Sequence, residues 1–374
     1  MHRYINMLLF LALMAGVTIV AYPSKSLLHS SETVLKDDQN LPEDIAFLQG
    51  LIQIDKGRTG DPPEKYFHES YFNSHYDGRF AKSELPSQTR IPHLRALIRS
   101  YLTTMHELGA ETWIMHGSLL GWWWNRRIMP WDDDLDVQVS EAAIEFLASY
   151  HNMTIHSFAA GDLTINPDDE TLMQGRKRYL LEVNPHYVNP STDDRENVID
   201  ARWIDTDTGL FIDITAVRVD KATEAEKGKS GEFRFKGATY RHSDPPQRLY
   251  CKDEHSFLST QIFPLRLSVF EGVPVHVPFS YQELLVEEYG QEALVQKEFW
   301  EERHYFDQAK GEWIPMSKEM LKNREKEGEW GRLDKSSGLS EELKEWKAQI
   351  KDEDSGSEDS GGFRQVEIVL PASK

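Results

Sequence analysis

The chain has 374 residues, of which 39% are hydrophobic and 11% aromatic, so it is long enough to bury the core of one large domain or two ordinary ones. Its 62 acidic residues outnumber its 42 basic residues, and the net charge of −20 argues against a nucleic-acid partner, because phosphate backbones are bound by basic faces. The single cysteine, Cys251, excludes an internal disulfide and a cysteine-cluster zinc site.

Residues 1–22 have the layout of a secretory signal peptide or a signal anchor. A basic start precedes a nearly unbroken apolar run, Met7–Ala21, and Ile19–Ala21 offers a cleavage site. The run is about 15 residues against the roughly 20 that span a bilayer comfortably, so a cleaved signal and a retained anchor both stay open. We therefore expect a secretory-pathway protein, either a type II Golgi protein facing the lumen or a secreted one, that contacts the membrane only through this segment. The sequon Asn152-Met153-Thr154 is typical of such proteins.

The next part of the sequence predicts a linker, a helix and a strand. Residues 23–60 are polar without a sustained period and are predicted to form a stem or linker. The run Tyr66–Tyr76 is rich in aromatics and histidines, but the histidines lack metal-ligand spacing, so it predicts aromatic packing at the domain edge. Apolar residues of Ser87–Leu108 recur at i, i+3, i+4 and i+7, which predicts a helix that Gly109 ends. Thr112–Met115 is the next predicted strand.

The stretch that follows contains the candidate metal-binding and phosphate-binding residues. Residues 134–139 alternate between polar and apolar, which predicts a strand with Asp134 and Asp136 on one face, about 6.6 Å apart along the chain. Two carboxylates placed side by side can share a divalent cation. Gly117-Ser118 is predicted to be a turn that presents backbone N–H groups to a phosphate. A solvated turn is the alternative and suits Asp132-Asp133, but a strand whose polar face is all acid repels itself unless it is neutralised.

Further elements follow this strand. Ser140 is predicted to cap a helix over Glu141–Tyr150, and residues 179–183 predict a strand. Ala201–Asp205 and Leu210–Val217 flank a glycine-bearing turn and predict a hairpin.

Asp213 is an acid within an otherwise apolar predicted strand. A buried unpaired carboxylate is costly, so Asp213 needs a partner. It either pairs with a basic residue such as Arg218 or Arg202, or it joins Asp134 and Asp136 as a third carboxylate, and we favour the third carboxylate.

The C-terminal part predicts fewer elements. Residues 262–265 and 273–278 are apolar pieces with prolines and predict edge strands, and Tyr281–Tyr289 predicts a helix that ends at Gly290. Residues 316–374 form a predicted charged tail, helical or disordered, that ends in an acidic stretch of low complexity.

The order of the motifs resembles the LicD/fukutin family. The matching segments are His116–Gly121 (HGSLLG), Pro130–Val137 (PWDDDLDV), Gly209–Ile214 (GLFIDI) and Val277–Gly290. The fungal branch, the mannosylphosphate-transfer proteins of cell-wall glycan modification, looks most similar, and the resemblance spans roughly residues 61–300. It implies an α+β fold like that of the nucleotidyltransferases, with a mixed sheet flanked by helices, in a catalytic domain that we assign to residues 61–315.

The resemblance also implies roles for individual residues. Asp134 and Asp136 would be the paired acids, Asp213 the third and Asp132 the preceding family acid, and together they would hold Mg²⁺ or Mn²⁺. Asp213 could also accept the proton of an attacking hydroxyl. The predicted phosphate-binding residues are Gly117 and Ser118 in the turn, Arg126 or Arg127 as a guanidinium clamp, and Lys177 and Arg178 as further candidates. A solvated surface position is the alternative for Arg126 and Arg127.

The predicted activity is that of an enzyme. It is metal-dependent transfer of a sugar- or alcohol-phosphate, with mannose-1-phosphate favoured, from a nucleoside diphosphate donor such as GDP-mannose or a CDP-alcohol onto a protein- or cell-wall-linked glycan. One alternative is a non-catalytic lumenal accessory protein that assists a partner transferase. The other is nucleotidyl transfer to a small molecule.

Overall fold

A computed structural model describes residues 61–164, 175–221, 233–240 and 246–326. The predicted signal or anchor at residues 1–22, the stem at 23–60 and the tail beyond residue 326 lie outside these ranges. Among the helices that are described, none combines the length and the hydropathy needed to cross a membrane.

The elements alternate irregularly between helix and strand, as expected for an α+β chain. Residues 61–164 contain α1 (Ser87–Leu108), β1 (Thr112–Ile114), α2 (His116–Asn125), β2 (Asp136–Ser140), α3 (Glu141–Tyr150), β3 (Thr154–Ala159) and α4 (Ala160–Leu163). Residues 175–221 contain β4 (Arg176–Val183), two 3₁₀ turns (Pro185–Val188 and Arg195–Asn197), β5 (Ala201–Asp205) and β6 (Phe211–Val219). The remaining ranges contain β7 (Phe233–Phe235), β8 (Ala238–Tyr240), β9 (Arg248–Tyr250), β10 (Ser256–Leu258), α5 (Ser259–Ile262), β11 (Arg266–Phe270), β12 (Val273–Val277), α6 (Tyr281–Tyr289), a 3₁₀ turn (Gln291–Leu294), β13 (Glu298–Phe299), β14 (His304–Asp307), β15 (Glu312–Pro315) and α7 (Lys318–Lys326).

The main sheet has the strand order β1-β2-β6-β5-β4-β3, and β9 extends it by pairing with the end of β6 and with β10. β2 and β6 run parallel, whereas the other neighbours along this order are antiparallel. Helix α1 packs against β5 and β6, and α3 packs against β2 and β6. The predicted mixed sheet flanked by helices is therefore confirmed.

Local sequence patterns explain the helices that border the site. Leu94, Leu97, Tyr101 and Met105 of α1 are fully buried, and Gly109 ends the helix in the left-handed conformation at φ 69°. The hydroxyl of Ser140 accepts a hydrogen bond from the backbone N–H of residue 143 and caps α3, as predicted. The predicted hairpin is present as β5 and β6, which are buried along nearly their whole length.

The edge strand predicted at residues 262–265 is wrong. The short helix α5 ends at Ile262, where the Gln261 side chain accepts a hydrogen bond from the Leu258 backbone N–H and closes a helical turn, and residues 263–265 form neither helix nor strand. The strand begins only at Arg266, since Pro264 has no backbone N–H to donate to a ladder. β11 then pairs with β12, which lies within the second predicted strand.

Candidate active site

The site is built around two carboxylates on adjacent strands. Asp136 lies opposite Asp213 in the register of the parallel pair β2 and β6, and the Asp213 backbone N–H donates to the Leu135 carbonyl at 3.0 Å. Residues opposite each other in a ladder direct their side chains to the same face of the sheet. The third carboxylate predicted from the sequence is therefore beside the second.

Asp134 and Asp132 complete a crowded acidic group just before β2. The strand predicted from residue 134 begins only at Asp136, so Asp134 lies in the segment that leads into it. Burial raises the pKa of Asp134, and the charges of Asp133 and Asp213 raise it further. Burial followed by repulsion from Asp134 and Asp133 raises the pKa of Asp132 to about 8. Burial, with repulsion from Asp134 and Asp213 among others, raises the pKa of Asp136 well above its usual range.

These carboxylates suit a divalent cation. The Oδ2 atom of Asp132 is buried and has no hydrogen-bond partner among the described residues, although a buried carboxylate oxygen normally has one. Several oxygen ligands that repel one another are the donor set of Mg²⁺ or Mn²⁺, and a cation would relieve their repulsion. The donor chemistry therefore suits the metal that the sequence predicts. Within the described residues, however, Asp136 and Asp213 do not belong to a group of three side chains whose ligand atoms lie within 4.8 Å of one another.

A histidine that the sequence did not indicate adjoins this group. Nδ1 of His75 lies 3.8 Å from Oδ2 of Asp134, and Nε2 lies 3.9 Å from Oδ1 of Asp133. One ligand atom of each of the three side chains lies within 4.8 Å of the others, so they could hold a metal ion together. The interpretation of the run Tyr66–Tyr76 as aromatic packing alone is thus incomplete, because the chain folds back and brings His75 to residues nearly sixty positions away.

Asp213 also has a basic partner. Nε of Arg202 donates to Oδ1 of Asp213 at 2.7 Å, and Nη2 of Arg202 donates to Glu69 at 2.9 Å. Arg218 instead pairs with Asp200. Asp213 therefore has both of the predicted neighbours, because it pairs with the basic residue Arg202 and also stands beside the carboxylate of Asp136.

Gly117 and Ser118 lie in the first turn of helix α2, so the prediction of an isolated turn there is wrong. The strand before them ends at Ile114, and the apolar residues 119, 120 and 122 bury one side of a helix. Ser118 is 1% exposed, and its hydroxyl accepts from the Asp136 backbone N–H at 3.2 Å. A Cβ at Gly117 would lie 3.6 Å from the Asp132 carboxylate, so the glycine keeps the space beside that carboxylate open.

Comparison with known proteins agrees with this geometry. Residues 109–280 match the model of the LicD/FKTN/FKRP nucleotidyltransferase domain. These residues resemble the LicD family. The matched range contains Asp132, Asp134, Asp136 and Asp213.

Two relatives of this segment come from Saccharomyces cerevisiae. Mannosyltransferase regulator 4 is 33% identical over 124 residues, which are 33% of this chain and 10% of the relative. Mannosyltransferase regulator 14 is 31% identical over 140 residues, which are 37% of this chain and 14% of the relative. The alignments thus cover a small part of each relative's length, and they fit the fungal mannosylphosphate branch of the LicD family.

The arginines predicted to clamp phosphate lie at the far end of α2 in the LicD domain. Nine residues of helix place Arg126 about 13 Å from Gly117 along the axis. Its guanidinium lies 3.9 Å from the ring centroid of Trp122, and Arg127 forms a half-exposed ion pair of 2.8 Å with Glu312. Neither contact points to the carboxylates.

Lys177 and Arg178 lie on β4, which β5 separates from β6. Two strand spacings amount to about 10 Å. Lys177 is 3% exposed and pairs with Asp207 at 2.7 Å and Asp205 at 3.4 Å. The Arg178 carbonyl accepts from the Thr206 backbone N–H at 3.1 Å. The charge of Lys177 is therefore neutralised by Asp205 and Asp207 within the fold.

Arg90 supplies positive charge beside the LicD carboxylates, and our sequence analysis did not select it. Its charge lowers the pKa of Asp132, opposing the larger effect of burial. Nε of Arg90 is buried without a hydrogen-bond partner in the described ranges, and Nη1 lies 3.6 Å from the exposed Glu84. The sequence did contain a signal for Arg90, which falls four residues before Leu94 on the apolar side of α1. A charged residue is rarely buried on such a face unless it has a partner or a function.

Arg90 also lines a cavity of about 540 Å³. The cavity lies next to the aspartate motif, because Pro130 and Trp131 line it as well, together with His304 of β14. Its volume falls within the range of small-molecule sites.

Proposed function

We propose that this protein transfers a sugar- or alcohol-phosphate, with mannose-1-phosphate favoured, from a nucleoside diphosphate donor onto a glycan. The observation that carries the proposal is the register of Asp136 against Asp213, which gathers acids from two strands beside Asp134. Asp132, Asp134, Asp136 and Asp213 would hold Mg²⁺ or Mn²⁺, which when bound would neutralise the charge that develops on the donor's pyrophosphate oxygens.

The chain's own groups would position the donor. The cavity of about 540 Å³ offers an aromatic wall at Trp131 and the charge of Arg90, which suit a nucleoside and its diphosphate. The first turn of α2 adds backbone N–H groups, which favour an anion at a helix N-terminus. These two features replace the clamp that we predicted at Arg126 or Arg127.

Asp213 is the candidate acceptor of the proton from the attacking glycan hydroxyl. Its Oδ1 is held by Arg202, and in the described part of the chain its Oδ2 makes no hydrogen bond, so Oδ2 would meet the hydroxyl. Arg202 is 3% exposed and fixes the orientation of the carboxylate. A hydroxyl that loses its proton to Oδ2 would attack the donor phosphorus as the nucleotide leaves.

The second candidate is a non-catalytic accessory of a partner transferase. The names of both yeast relatives contain the word regulator, and this is the observation that favours it. The secretory pathway, with the Golgi lumen favoured, is the proposed location for either role, since the family relationship is to proteins of mannosyl transfer. Nucleotidyl transfer to a small molecule has less support, because the names of both yeast relatives refer to a mannosyltransferase.

The test compares Asp134→Asn and Asp213→Asn with Asp193→Asn, a control at an exposed loop aspartate. Each variant replaces the protein in cells, and phosphodiester-linked sugar on cell-surface glycan is measured. Loss with the first two variants and full activity with the third support catalysis. Unchanged glycan phosphate with all three variants, together with its loss when the whole chain is deleted, would instead support the accessory role. Purified protein with labelled GDP-mannose, an oligomannoside and Mn²⁺ provides the matching assay in vitro.

A further inference from the structure

A second group of metal-ligating side chains lies where α2, the loop between β9 and β10, and α6 converge. One nitrogen each of His116 and His255 and one carboxylate oxygen of Glu288 lie within 4.8 Å of one another. We propose that these three residues bind a divalent transition-metal ion, with Zn²⁺ the best match to their chemistry. The site is separate from the aspartate group and does not depend on the proposed transfer.

The spacing of the three side chains is close to that of a coordinated set. Nδ1 of His116 lies 2.8 Å from Oε1 of Glu288, and the rings of His116 and His255 are 4.6 Å apart between centroids. Ligands at about 2.0–2.1 Å from a tetrahedral zinc ion lie roughly 3.3 Å from each other. An ion could therefore replace the proton between His116 and Glu288 if the two atoms separated by about 0.5 Å.

A fourth residue orients one of the imidazoles. Nδ1 of His255 lies 3.2 Å from Oδ1 of Asp253, and the attraction raises the pKa of His255. The contact does not meet the geometry of a hydrogen bond, but a carboxylate so near Nδ1 favours the proton there and the lone pair on Nε2, and metal-binding histidines usually have such a partner behind them. Two imidazoles and one carboxylate are ligands of catalytic zinc sites, which keep a fourth position open for water or substrate.

The backbone and the surroundings also indicate a ligand site. His116 has φ 52°, a left-handed conformation that few residues other than glycine, asparagine and aspartate adopt and that is often found at functional positions. His255 lines a cavity of about 1040 Å³, which gives an ion a route from solvent.

Two imidazoles distinguish this site from the aspartates. Mg²⁺ prefers oxygen ligands, whereas imidazole suits zinc and cobalt, so Co²⁺ is an informative probe. Four-coordinate Co²⁺ with nitrogen ligands absorbs strongly in the visible range, but Co²⁺ in an octahedral oxygen site absorbs weakly. The experiment titrates the metal-free full chain with Co²⁺ and then displaces it with Zn²⁺.

We expect one strongly absorbing Co²⁺ per chain, displaced by one equivalent of Zn²⁺. The band should disappear in His116→Gln and His255→Gln but persist in His106→Gln, which alters an exposed histidine of α1. Asp253→Asn should weaken Zn²⁺ binding by about 10- to 100-fold, because Asp253 orients a ligand without touching the ion. Thermal unfolding in chelator establishes that each variant is folded.

Three results would overturn the proposal. One is the absence of the band in the folded wild-type chain. Another is its persistence in His255→Gln. The third is its loss in Asp134→Asn or His75→Gln, which would assign the ion to the aspartate group. Since Asp134→Asn should abolish phosphate transfer and keep the Co²⁺ band, failure of this proposal and failure of the proposed function give different results.

Discussion

Asp136 and Asp213 stand opposite each other on β2 and β6, the one parallel pair along the main sheet as far as the structure describes it. Their strands are separated by more than seventy residues of sequence, yet the pairing puts one carboxylate beside the other. Two carboxylates at this spacing repel each other in the absence of a cation. The arrangement therefore favours metal binding over the stability of the metal-free fold.

Asp136→Asn should stabilise the metal-free protein and remove its response to metal. The substitution replaces an acid whose pKa is raised by burial and by its acidic neighbours, and whose ionisation therefore opposes folding, and we expect a gain of about 1 kcal/mol in the free energy of unfolding. Thermal unfolding with chelator and with Mn²⁺ measures both effects. Mn²⁺ should raise the Tm of the wild type but not that of the variant. A variant that is less stable in chelator, or that keeps the Mn²⁺ response, would contradict this account of the acids.

Arg202→Met should be strongly destabilising. Arg202 is buried between Asp213 and Glu69 and lies over the ring of Phe211, so its loss leaves two carboxylates without their cation. Breaking such a pair costs about 3–5 kcal/mol. Urea unfolding gives the measurement. Arg195→Met is the control, because Arg195 pairs with Glu254 at an exposed position, where an ion pair contributes at most about 1 kcal/mol. Similar losses for the two variants would rule out the buried network as a source of stability.

Arg90→Gln should weaken donor binding without a large change in stability. Within the part of the chain that the structure describes, Arg90 makes one long ion pair, so its charge is available to a diphosphate in the cavity that it lines. Loss of a charge-assisted contact of about 1.5–3 kcal/mol corresponds to a drop in GDP-mannose affinity of roughly tenfold or more. Calorimetry with Mn²⁺ present measures it. Arg127→Gln, which alters an arginine paired with Glu312 at the surface, should leave the affinity unchanged. If both variants bound the donor as the wild type does, the cavity would not be its site.

His156 should make the fold sensitive to mild acid. Burial, with a smaller effect of His151, lowers the pKa of His156 to about 4, against about 6.5 in an unfolded chain. The unfolded state therefore binds more protons between pH 6.5 and 4, and stability falls as the pH decreases through this window. The contribution is at most about 3–4 kcal/mol, since each pKa unit corresponds to about 1.36 kcal/mol. His156→Gln keeps a polar partner for Thr154 and should flatten the dependence of Tm on pH between 6.5 and 4.5. Equal slopes for variant and wild type would mean that other groups cause the acid sensitivity.

The sequence predicted those elements whose signals are local. Helix α1 has a regular apolar period and a terminal glycine, α3 has its Ser140 cap, and β5 and β6 flank a glycine-bearing turn. The acids on β2 and β6 were also predicted together, because a polar residue in a buried strand needs a partner. These predictions required only the chemistry of neighbouring residues and the motif order.

The remaining features depend on contacts between distant parts of the chain. No spacing in the sequence places His75 against Asp134, or Glu288 against His116, because those approaches follow from how the loops and α6 pack on the sheet. The prediction for Gly117 and Ser118 failed because the apolar residues that follow them favour a helix over a loop. Lys177 was predicted to bind phosphate because of its residue type. Its burial against Asp205 and Asp207 could not be foreseen without the fold.

The LicD match begins at residue 109, whereas several partners of its acids lie before that point. Glu69 neutralises Arg202 from outside the match, His75 approaches Asp134, and Tyr76 bridges to Leu210 next to the start of β6. A recombinant fragment that begins at residue 109 would thus lose Glu69, one of the two carboxylates paired with Arg202, and the bridge between Tyr76 and Leu210. Expression trials, domain swaps and comparisons between relatives should accordingly treat residues 61–108 as part of the same folding unit.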